Sequence, residues 1–467
     1  MTLKIERASP NARPDHRDYG GRGQVMDMRR AVALLALVTG LAACGGTITF
    51  GSSSPSPPVG AFRPTKPPDT PPAGTTPGTL MALDATTGDL LWQSQAPMAA
   101  TNQLQVSGGT VLVQGGYGGP PGVVAAINAK TGDLIWRATP AVCGPTAVGL
   151  EVLLIISCAQ AGSPPFGQMV ALALDVKTGR ELWSGPGIAA AAGPGIAIVS
   201  VQTPSGDFKI HGLDALTGHQ LWEAGLTVTM IPPFVNGRFA LAVQYGCPTS
   251  SPTPDIKPSS CTGPGQARSF LSRLDLASGS LLWQVGFGQG GQLGRLVLGD
   301  VALVTIDVET PPGPGKAPQE GPGPERLAAL DLNTGNELWR QTVTPYVDTP
   351  ILAVPGTVFI SHLVAGGAQQ CSTRIDALDS KSGIFRWRLD NLDYCQVNAD
   401  ADGTTTVLVL SSVGATKIVA LDTASGTKRW EKPIATPGPY PLVWASVTAG
   451  VVYVAASGRF IAPPPGD

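Results

Sequence analysis

The sequence offers few residues whose type and spacing could perform chemistry, and a glycine-rich stretch is the first of them. Gly286, Gly288 and Gly291 have the G-x-G-x-x-G spacing with which a loop can cradle a phosphate. That chemistry also needs a helix directly after the glycines, because the helix N-terminus supplies N–H donors. A strand-like run precedes the stretch, and no helical pattern follows it. We therefore interpret residues 286–291 as a glycine-rich loop.

Residues 398–403 begin like a calcium-binding loop, with oxygen-bearing side chains at alternate positions. The glutamate that closes such a loop would fall at position 409, where the chain has Val409. A hairpin turn is therefore the favoured interpretation. The histidines beyond residue 44 are His211, His219 and His362, and they lack the spacing of metal ligands. We predict no catalytic residue and no metal site.

A short apolar run, residues 31–38, follows two arginines and precedes small residues that end at Cys44. A positive segment, a short apolar segment and small residues before a cleavage point are the parts of a secretory signal. The run is much shorter than the ~20 residues that span a bilayer as a helix. We therefore predict export, with residues 28–44 as the signal peptide and residues 1–27 as an upstream extension or a mis-assigned start.

The four residues that end at Cys44 (Leu-Ala-Ala-Cys) resemble a bacterial lipobox. The resemblance implies that the Cys44 thiol is acylated and becomes the new N-terminus, and two or three acyl chains would anchor it firmly. A plain secretory signal with a coincidental cysteine is the alternative. Residues 45–78 are rich in Pro, Ser, Thr and Gly, which predicts an extended tether. The expected location is the bacterial cell membrane or envelope, outside the cytoplasm.

The other six cysteines are predicted to form disulfides, because an even number in an oxidising compartment indicates pairing. They are Cys143, Cys158, Cys247, Cys261, Cys371 and Cys395. Pairing between neighbours in sequence is the simplest arrangement, and the first two flank a hairpin predicted near Gly149. The sequence leaves the connectivity open, and free buried thiols are the alternative.

One phrase, Asp-x-x-Thr-Gly-x-x-x-Trp, recurs eight times with small variations. Its tryptophans are eight of the nine in the chain: Trp92, Trp136, Trp183, Trp222, Trp283, Trp339, Trp387 and Trp430. A recurrence every ~45 residues indicates a repeat architecture.

The physical role of each part of the phrase can be read from its first copy. Residues 80–83 form an apolar strand, and Asp84 at its end can accept backbone N–H bonds in a turn. Gly88 can take the positive φ that closes the hairpin. The second strand carries Trp92, whose ring can bury against a neighbouring unit while its N–H finds an acceptor. We therefore predict that the eight tryptophans dock one unit against the next.

Two more strand-like runs precede each hairpin, as residues 296–298 and 301–305 do before Asp331. Four strands in ~45 residues make a propeller blade. The predicted fold is therefore all-β, an eight-bladed β-propeller of four-stranded antiparallel blades over residues 79–463. The first motif lacks two strands of its own, and runs after the last motif can supply them. The N- and C-terminal strands are expected to share one blade and close the ring.

The repeated phrase resembles the repeat of pyrroloquinoline-quinone (PQQ)-type propellers, which include quinoprotein alcohol dehydrogenases and an outer-membrane assembly lipoprotein. The resemblance covers residues 79–463 and implies the fold, but the motif builds the ring and is not an active site. The dehydrogenases cap their cofactor with a disulfide between adjacent cysteines, and no two cysteines are adjacent here. We expect no cofactor and no enzyme activity. PQQ with calcium in the central channel, as in a quinoprotein dehydrogenase, is the alternative.

Long insertions between the second and third strands of blades are the expected place of function, because variable loops on a rigid scaffold often carry binding. They lie around residues 114–122, 159–168, 244–268, 308–325 and 364–373. The net charge of −2 and the lack of a basic patch argue against nucleic-acid binding. We expect a monomer that binds an envelope protein through these loops, as a scaffold, assembly factor or sensor. Inert solvated loops are the alternative.

Overall fold

Short apolar runs separated by turns with Asp and Gly fold into antiparallel strands in the computed structural model. The structure describes residues 5–7, 78–96, 103–115, 122–139, 147–149, 151–158, 169–187, 189–203, 208–228, 233–248, 256–257, 268–287, 292–307, 325–343, 348–364, 372–394, 396–412, 415–434 and 443–456. Within these ranges there is no α-helix, so none has the length and apolarity to span a bilayer. The predicted all-β class is confirmed.

The strands follow one another in a repeating order. They are β1 (Ile5–Arg7), β2 (Thr79–Asp84), β3 (Leu90–Gln95), β4 (Gln103–Ser107), β5 (Thr110–Gly115), β6 (Val123–Asn128), β7 (Leu134–Ala138), β8 (Ala147–Val148), β9 (Val152–Cys158), β10 (Met169–Asp175), β11 (Glu181–Pro186), β12 (Ala189–Gly193), β13 (Ile196–Gln202), β14 (Phe208–Asp214), β15 (Gln220–Val228), β16 (Phe234–Asn236), β17 (Phe239–Pro248), β18 (Ile256–Lys257), β19 (Arg268–Asp275), β20 (Leu281–Phe287), β21 (Gln292–Leu298), β22 (Val301–Asp307), β23 (Glu325–Asp331), β24 (Glu337–Val343), β25 (Asp348–Val354), β26 (Thr357–Val364), β27 (Ser372–Asp379), β28 (Phe385–Leu392), β29 (Gln396–Ala401), β30 (Thr405–Ser412), β31 (Ala415–Asp422), β32 (Lys428–Ile434), β33 (Val443–Thr448) and β34 (Val451–Ala456).

Hydrogen bonding joins these strands into eight antiparallel blades of four strands each, arranged in a ring. Blade 1 joins β33 and β34 to β2 and β3. Blades 2, 3 and 4 are β4–β7, β8–β11 and β12–β15, and blade 5 is β16, β17, β19 and β20. Blades 6, 7 and 8 are β21–β24, β25–β28 and β29–β32. The prediction of an eight-bladed β-propeller is confirmed.

Blade 1 is built from both ends of the ring. Strand β2 pairs antiparallel with β34, with Thr79 opposite Ala456 and Asp84 opposite Val451. The prediction that N- and C-terminal strands share one blade is therefore confirmed. The blades run from residue 79 to residue 456, and residues 457–463 of the predicted domain lie outside the described residues.

Two short strands extend blades beyond the four-strand pattern. Strand β18 pairs with the end of β17 in blade 5. Strand β1 belongs to the stretch that the fold prediction left out, and it pairs antiparallel with β28, with Glu6 opposite Arg388. The outermost strand of a sheet has one unpaired edge, so an extended segment can add to it.

The core of the ring lies between the blades. Between blades 2 and 3, Leu112 and Trp136 meet Leu153, Ile155 and Leu174 in one buried cluster. Because each blade is covered by a neighbour on both faces, its middle strands are buried on both faces. That is why they are continuous apolar runs in the sequence, without the alternation of a half-exposed strand.

The repeated motif forms the turn between the third and fourth strands. In blade 6, Asp331 Oδ1 accepts hydrogen bonds from the N–H groups of Asn333 and Thr334, both at 2.9 Å. The N–H of Gly335 donates to the Asp331 carbonyl at 2.8 Å, and Gly335 has a φ of 74°. Burial raises the pKa of Asp331, but the hydrogen bonds outweigh burial and leave the pKa lowered. The carboxylate is thus held ionised where it organises the turn.

Each motif tryptophan reaches the next blade in the same way. The indole Nε1–H donates to the carbonyl of the residue after the motif Asp or Asn of the next blade, at 2.8–3.2 Å. The pairs are Trp92–Ala129, Trp136–Val176, Trp183–Ala215, Trp222–Leu276, Trp283–Leu332, Trp339–Ser380, Trp387–Thr423 and Trp430–Ala85. The last pair links blade 8 to blade 1, so the contact passes around the whole ring.

Candidate functional site

The innermost strands of the blades surround a central channel that contains a cavity of about 620 Å³. Its described lining includes residues of β4, β8, β12, β16, β25, β29 and β33. The lining mixes apolar and small residues with the polar side chains of Gln105, Ser107, Asn398, Asp400 and Ser446. A cavity of this size falls within the range of ~300–1,000 Å³ that is common for small-molecule sites.

Asp400 is the one charged side chain among the described residues that line the channel. Its Oδ2 accepts hydrogen bonds from Ser446 Oγ at 2.7 Å and from Val447 N at 2.9 Å. Its Oδ1 accepts the N–H of Ala401 at 2.9 Å. Burial nevertheless raises the pKa of Asp400, and it outweighs these hydrogen bonds. The channel wall between blades 8 and 1 therefore contains a desolvated carboxyl group.

The stretch that begins like a calcium loop, residues 398–403, forms the end of β29 and the start of the hairpin turn to β30. Asp402 Oδ1 accepts the N–H groups of Thr404 and Thr405, as expected for a turn. Its Oδ2 also accepts the N–H of Gly450, 48 residues away in blade 1, at 3.2 Å. The sequence predicts the turn but misses the links of Asp400 and Asp402 to blade 1. The two acidic residues beside a turn were the only signal of these links in the sequence. Their partners could not be identified, because they lie 46 and 48 residues away.

The predicted glycine-rich loop connects two strands. Residues 286 and 287 end β20, β21 begins at Gln292, and residues 288–291 lie outside the described residues. The flanking strands agree with the interpretation as a loop between blades 5 and 6.

The predicted cysteine chemistry falls outside what the structure describes. Cys44, Cys143, Cys261, Cys371 and Cys395 lie outside the described residues. The same holds for the side chains of Cys158, at the end of β9, and Cys247, in β17. The hairpin near Gly149 is present, because the N–H of Gly149 donates to the Val152 carbonyl at 2.8 Å. Acylation and disulfide formation stay predictions.

The three histidines lie in the blades, and none of them belongs to a set of metal ligands among the described residues. His211 is in β14, where burial lowers its pKa, and His219 is in the motif turn of blade 4. His362 is in β26, with its Nε2 3.1 Å from Asp376 Oδ2. Across the described ranges, no three His, Cys, Asp or Glu side chains are placed to hold a metal ion.

Asp376 is the centre of an ion cluster that crosses three strands of blade 7. Arg388 donates to it through Nε at 2.6 Å and through Nη2 at 3.0 Å. His362 and Arg374 lie on the other sides of the carboxylate. Burial would raise the pKa of Asp376, but the hydrogen bonds from His362 and Arg388 and the nearby cations lower it from 3.8 to about 2.

We expect this cluster to make stability fall in acid. A carboxylate whose pKa is lower in the folded state stabilises the fold above its unfolded pKa of 3.8. That contribution, about 2 kcal/mol, should be lost as the pH falls from about 4 to about 2. Urea unfolding of the wild type and of Asp376→Asn at pH 5 and pH 2 measures it, because the variant should lack this part of the loss. Asp390→Asn, beside the same arginine, should keep the loss, and an equal acid response of all three proteins would contradict the expectation.

The long insertions connect strand ends that lie on one face of the ring. They join β5 to β6, β9 to β10, β17 to β19, β22 to β23 and β26 to β27, which are second-to-third-strand connections. Apart from a few strand residues, they lie outside the described residues. The first-to-second-strand turns and the motif turns lie together at the other face, as shown by the bond from Ala129 N to Gly109 O at 3.0 Å. We call the face with the second-to-third-strand connections the insertion face, and the face with the motif turns the motif face.

Comparison with known proteins identifies the family to which this ring of repeats belongs. A family model described as outer membrane protein assembly factor BamB, of the PQQ-repeat type, matches residues 37–191, 76–243 and 267–462. The chain belongs to this PQQ-repeat family. No curated protein matches the chain by sequence.

Three of the solved structures similar to this PQQ-repeat protein have low sequence identity to it. BamB from Moraxella catarrhalis is 14% identical, with a TM-score of 0.42 over 82% of this chain and 92% of its own. Quinohemoprotein alcohol dehydrogenase from Comamonas testosteroni is 14% identical, with a TM-score of 0.48 over 84% and 78%. Apo AztD from Citrobacter koseri is 14% identical, with a TM-score of 0.45 over 82% and 99%.

The described part of the channel lining in this PQQ-repeat protein does not fit PQQ itself. The quinone carries carboxylate groups, and a site that binds them needs cationic partners. The described lining offers one carboxyl group, Asp400, and no lysine, arginine or histidine. Like charges close together repel each other in a site of low dielectric. No step of quinone chemistry can be derived from these residues.

Proposed function

We propose that this protein is a cell-envelope lipoprotein whose propeller binds another protein without catalysis, as a scaffold, assembly factor or sensor. The observation that carries the proposal is the family match, which spans most of the chain and is described as an outer-membrane assembly factor. The matched family builds its propeller from the same repeat. A rigid ring of this kind presents its loops in fixed positions, which favours binding.

The insertion face is the proposed binding surface. Five of its connections are long, whereas the motif turns on the other face are short and uniform. The insertion at residues 308–325 contains several prolines. Proline restricts the backbone, so less conformational entropy is lost when such a loop is ordered on contact.

The proposed position in the envelope follows from the N-terminal sequence. Acylation at Cys44 would attach the protein to a membrane, and residues 45–78 would hold the propeller away from it. The propeller would then act as a monomer, with its insertion loops free to meet a neighbouring envelope protein.

The experiment is crosslinking in cells with the full chain, followed by identification of the crosslinked proteins. One variant replaces residues 311–322 by a Gly-Ser segment of equal length. The control is Leu216→Ser on the motif face, where Leu216 is 47% exposed. We expect a defined set of partners that the loop variant loses and the control keeps, with equal thermal stability of all three proteins. Partners that survive the loop replacement and vanish in the control would contradict the proposal.

A quinone- or other ligand-binding propeller, with a quinoprotein dehydrogenase as its enzyme form, is the second candidate, and the channel cavity is the observation that favours it. Calorimetry with PQQ and Ca²⁺, with dye-coupled alcohol oxidation, tests the quinone form of this candidate. Stoichiometric binding would move the function to the channel.

A further inference from the structure

The channel wall presents a carboxyl group that no described cation neutralises. Asp400 is partly buried, and its hydrogen bonds come from Ser446 and from two backbone N–H groups. Among the described residues, no Lys, Arg or His forms an ion pair with it. A buried carboxylate is costly without a positive partner, and burial raises its pKa for the same reason.

The same wall contains the ninth tryptophan, which the repeated motif does not include. Trp444 and Ser446 are two residues apart on β33, so their side chains leave the strand on the same side. Ser446 reaches Asp400, and all three residues line the cavity. An aromatic ring and a carboxylate are both groups that bind ammonium ions in proteins.

The remaining lining decides what kind of cation can bind. Val148, Val235 and Ile351 give the cavity apolar patches of wall, and Gln105 and Asn398 give it polar ones. A divalent metal ion needs several oxygen ligands, and the described ranges bring no such set together. A cation with an apolar body satisfies both the walls and the carboxylate.

We propose that the central channel binds a small organic amine in its protonated form. The ammonium group pairs with Asp400, and the apolar body lies against Trp444 and the aliphatic walls. The cavity of about 620 Å³ has the size of a small-molecule site. This binding is separate from the proposed protein binding at the insertion face, so either can fail without the other.

Calorimetry on the full chain with three matched probes tests the proposal. 2-Phenylethylamine is positive, 2-phenylethanol is neutral and 3-phenylpropanoate is negative, and all three have the same phenyl body. We expect one site for the amine, with affinity about tenfold or more above that of the alcohol, and no binding of the acid. The wild-type protein alone is enough to overturn the proposal. Either equal affinities for the amine and the alcohol, or no binding of the amine at millimolar concentration, would do so.

Two variants place the site within the channel. Asp400→Asn should reduce amine affinity to that of the alcohol, whereas Asp133→Asn, an exposed carboxylate on the motif face, should leave it unchanged. Trp444→Leu keeps the carboxylate and should weaken amine binding by roughly threefold to tenfold. Retention of the full amine preference by both channel variants would show that the amine binds elsewhere.

Discussion

Replacement of Trp387 by alanine should lower the free energy of unfolding by about 3–5 kcal/mol, the range for a large buried aromatic side chain. Trp387 is 1% exposed, and its ring meets Phe359 edge-on with centroids 5.6 Å apart. Its Nε1–H donates to the Thr423 carbonyl of blade 8 at 3.2 Å. The substitution would remove this packing and leave a buried carbonyl without its donor. Chemical denaturation followed by fluorescence and circular dichroism measures the loss.

A tryptophan outside the repeat provides the control for this prediction. Trp444 is only partly buried and lines the channel, so Trp444→Ala should cost less than half as much. Trp136→Ala, at another motif position that is 4% exposed, should resemble Trp387→Ala. Losses near zero at both motif positions would contradict the docking role of these residues.

Replacement of Gly132 by alanine should cost about 2–5 kcal/mol, through two additive causes. Gly132 has a φ of 77°, which costs an L-residue ~1–2 kcal/mol. A Cβ at this position would also lie 2.5 Å from Cε3 of Trp92, so the docked ring would have to move. Overpacking of this kind typically costs another ~1–3 kcal/mol. Thermal and urea unfolding measure the total.

The neighbouring hairpin of blade 2 separates these two causes. Gly109 has a φ of 79°, and no heavy atom lies within 4 Å of a Cβ placed there. Gly109→Ala should therefore show the conformational cost alone, so the difference between the variants reports the contact with Trp92. If the two variants lost equal stability, the ring would not be held against Gly132 as described.

Local features of the repeat made most of the fold predictable. Asp331 and Gly335 specify a turn through hydrogen bonds within five residues, and Trp339 follows at a fixed distance. The apolar runs at each end of the ring showed that blade 1 needed strands from both. Blade number, strand order and closure could therefore be predicted from periodicity.

The polar contacts between blades could not be predicted in the same way. Asp300 Oδ2 accepts hydrogen bonds from Gly356 N at 3.0 Å and from Ser380 Oγ at 2.9 Å, both in the next blade. Ser380 is 80 residues away in sequence, and the repeated phrase does not contain Asp300. Asp400 likewise meets Ser446 only after the ring closes. Such pairs depend on which turns become neighbours, which a single sequence does not show.

The pairing of N- and C-terminal strands in blade 1 also determines when the protein can finish folding. Trp430 and Ala85, which meet there, are 345 residues apart in the sequence. A ribosome makes β2 and β3 before the other blades, yet their partners β33 and β34 are made after those blades. Until then the first hairpin has an unpaired edge, which can join a wrong strand. Contacts between such distant residues form slowly, because a long loop must close first. Loss of the last fourteen described residues, 443–456, would therefore remove the two inner strands of blade 1 and leave the edge of β2 unpaired.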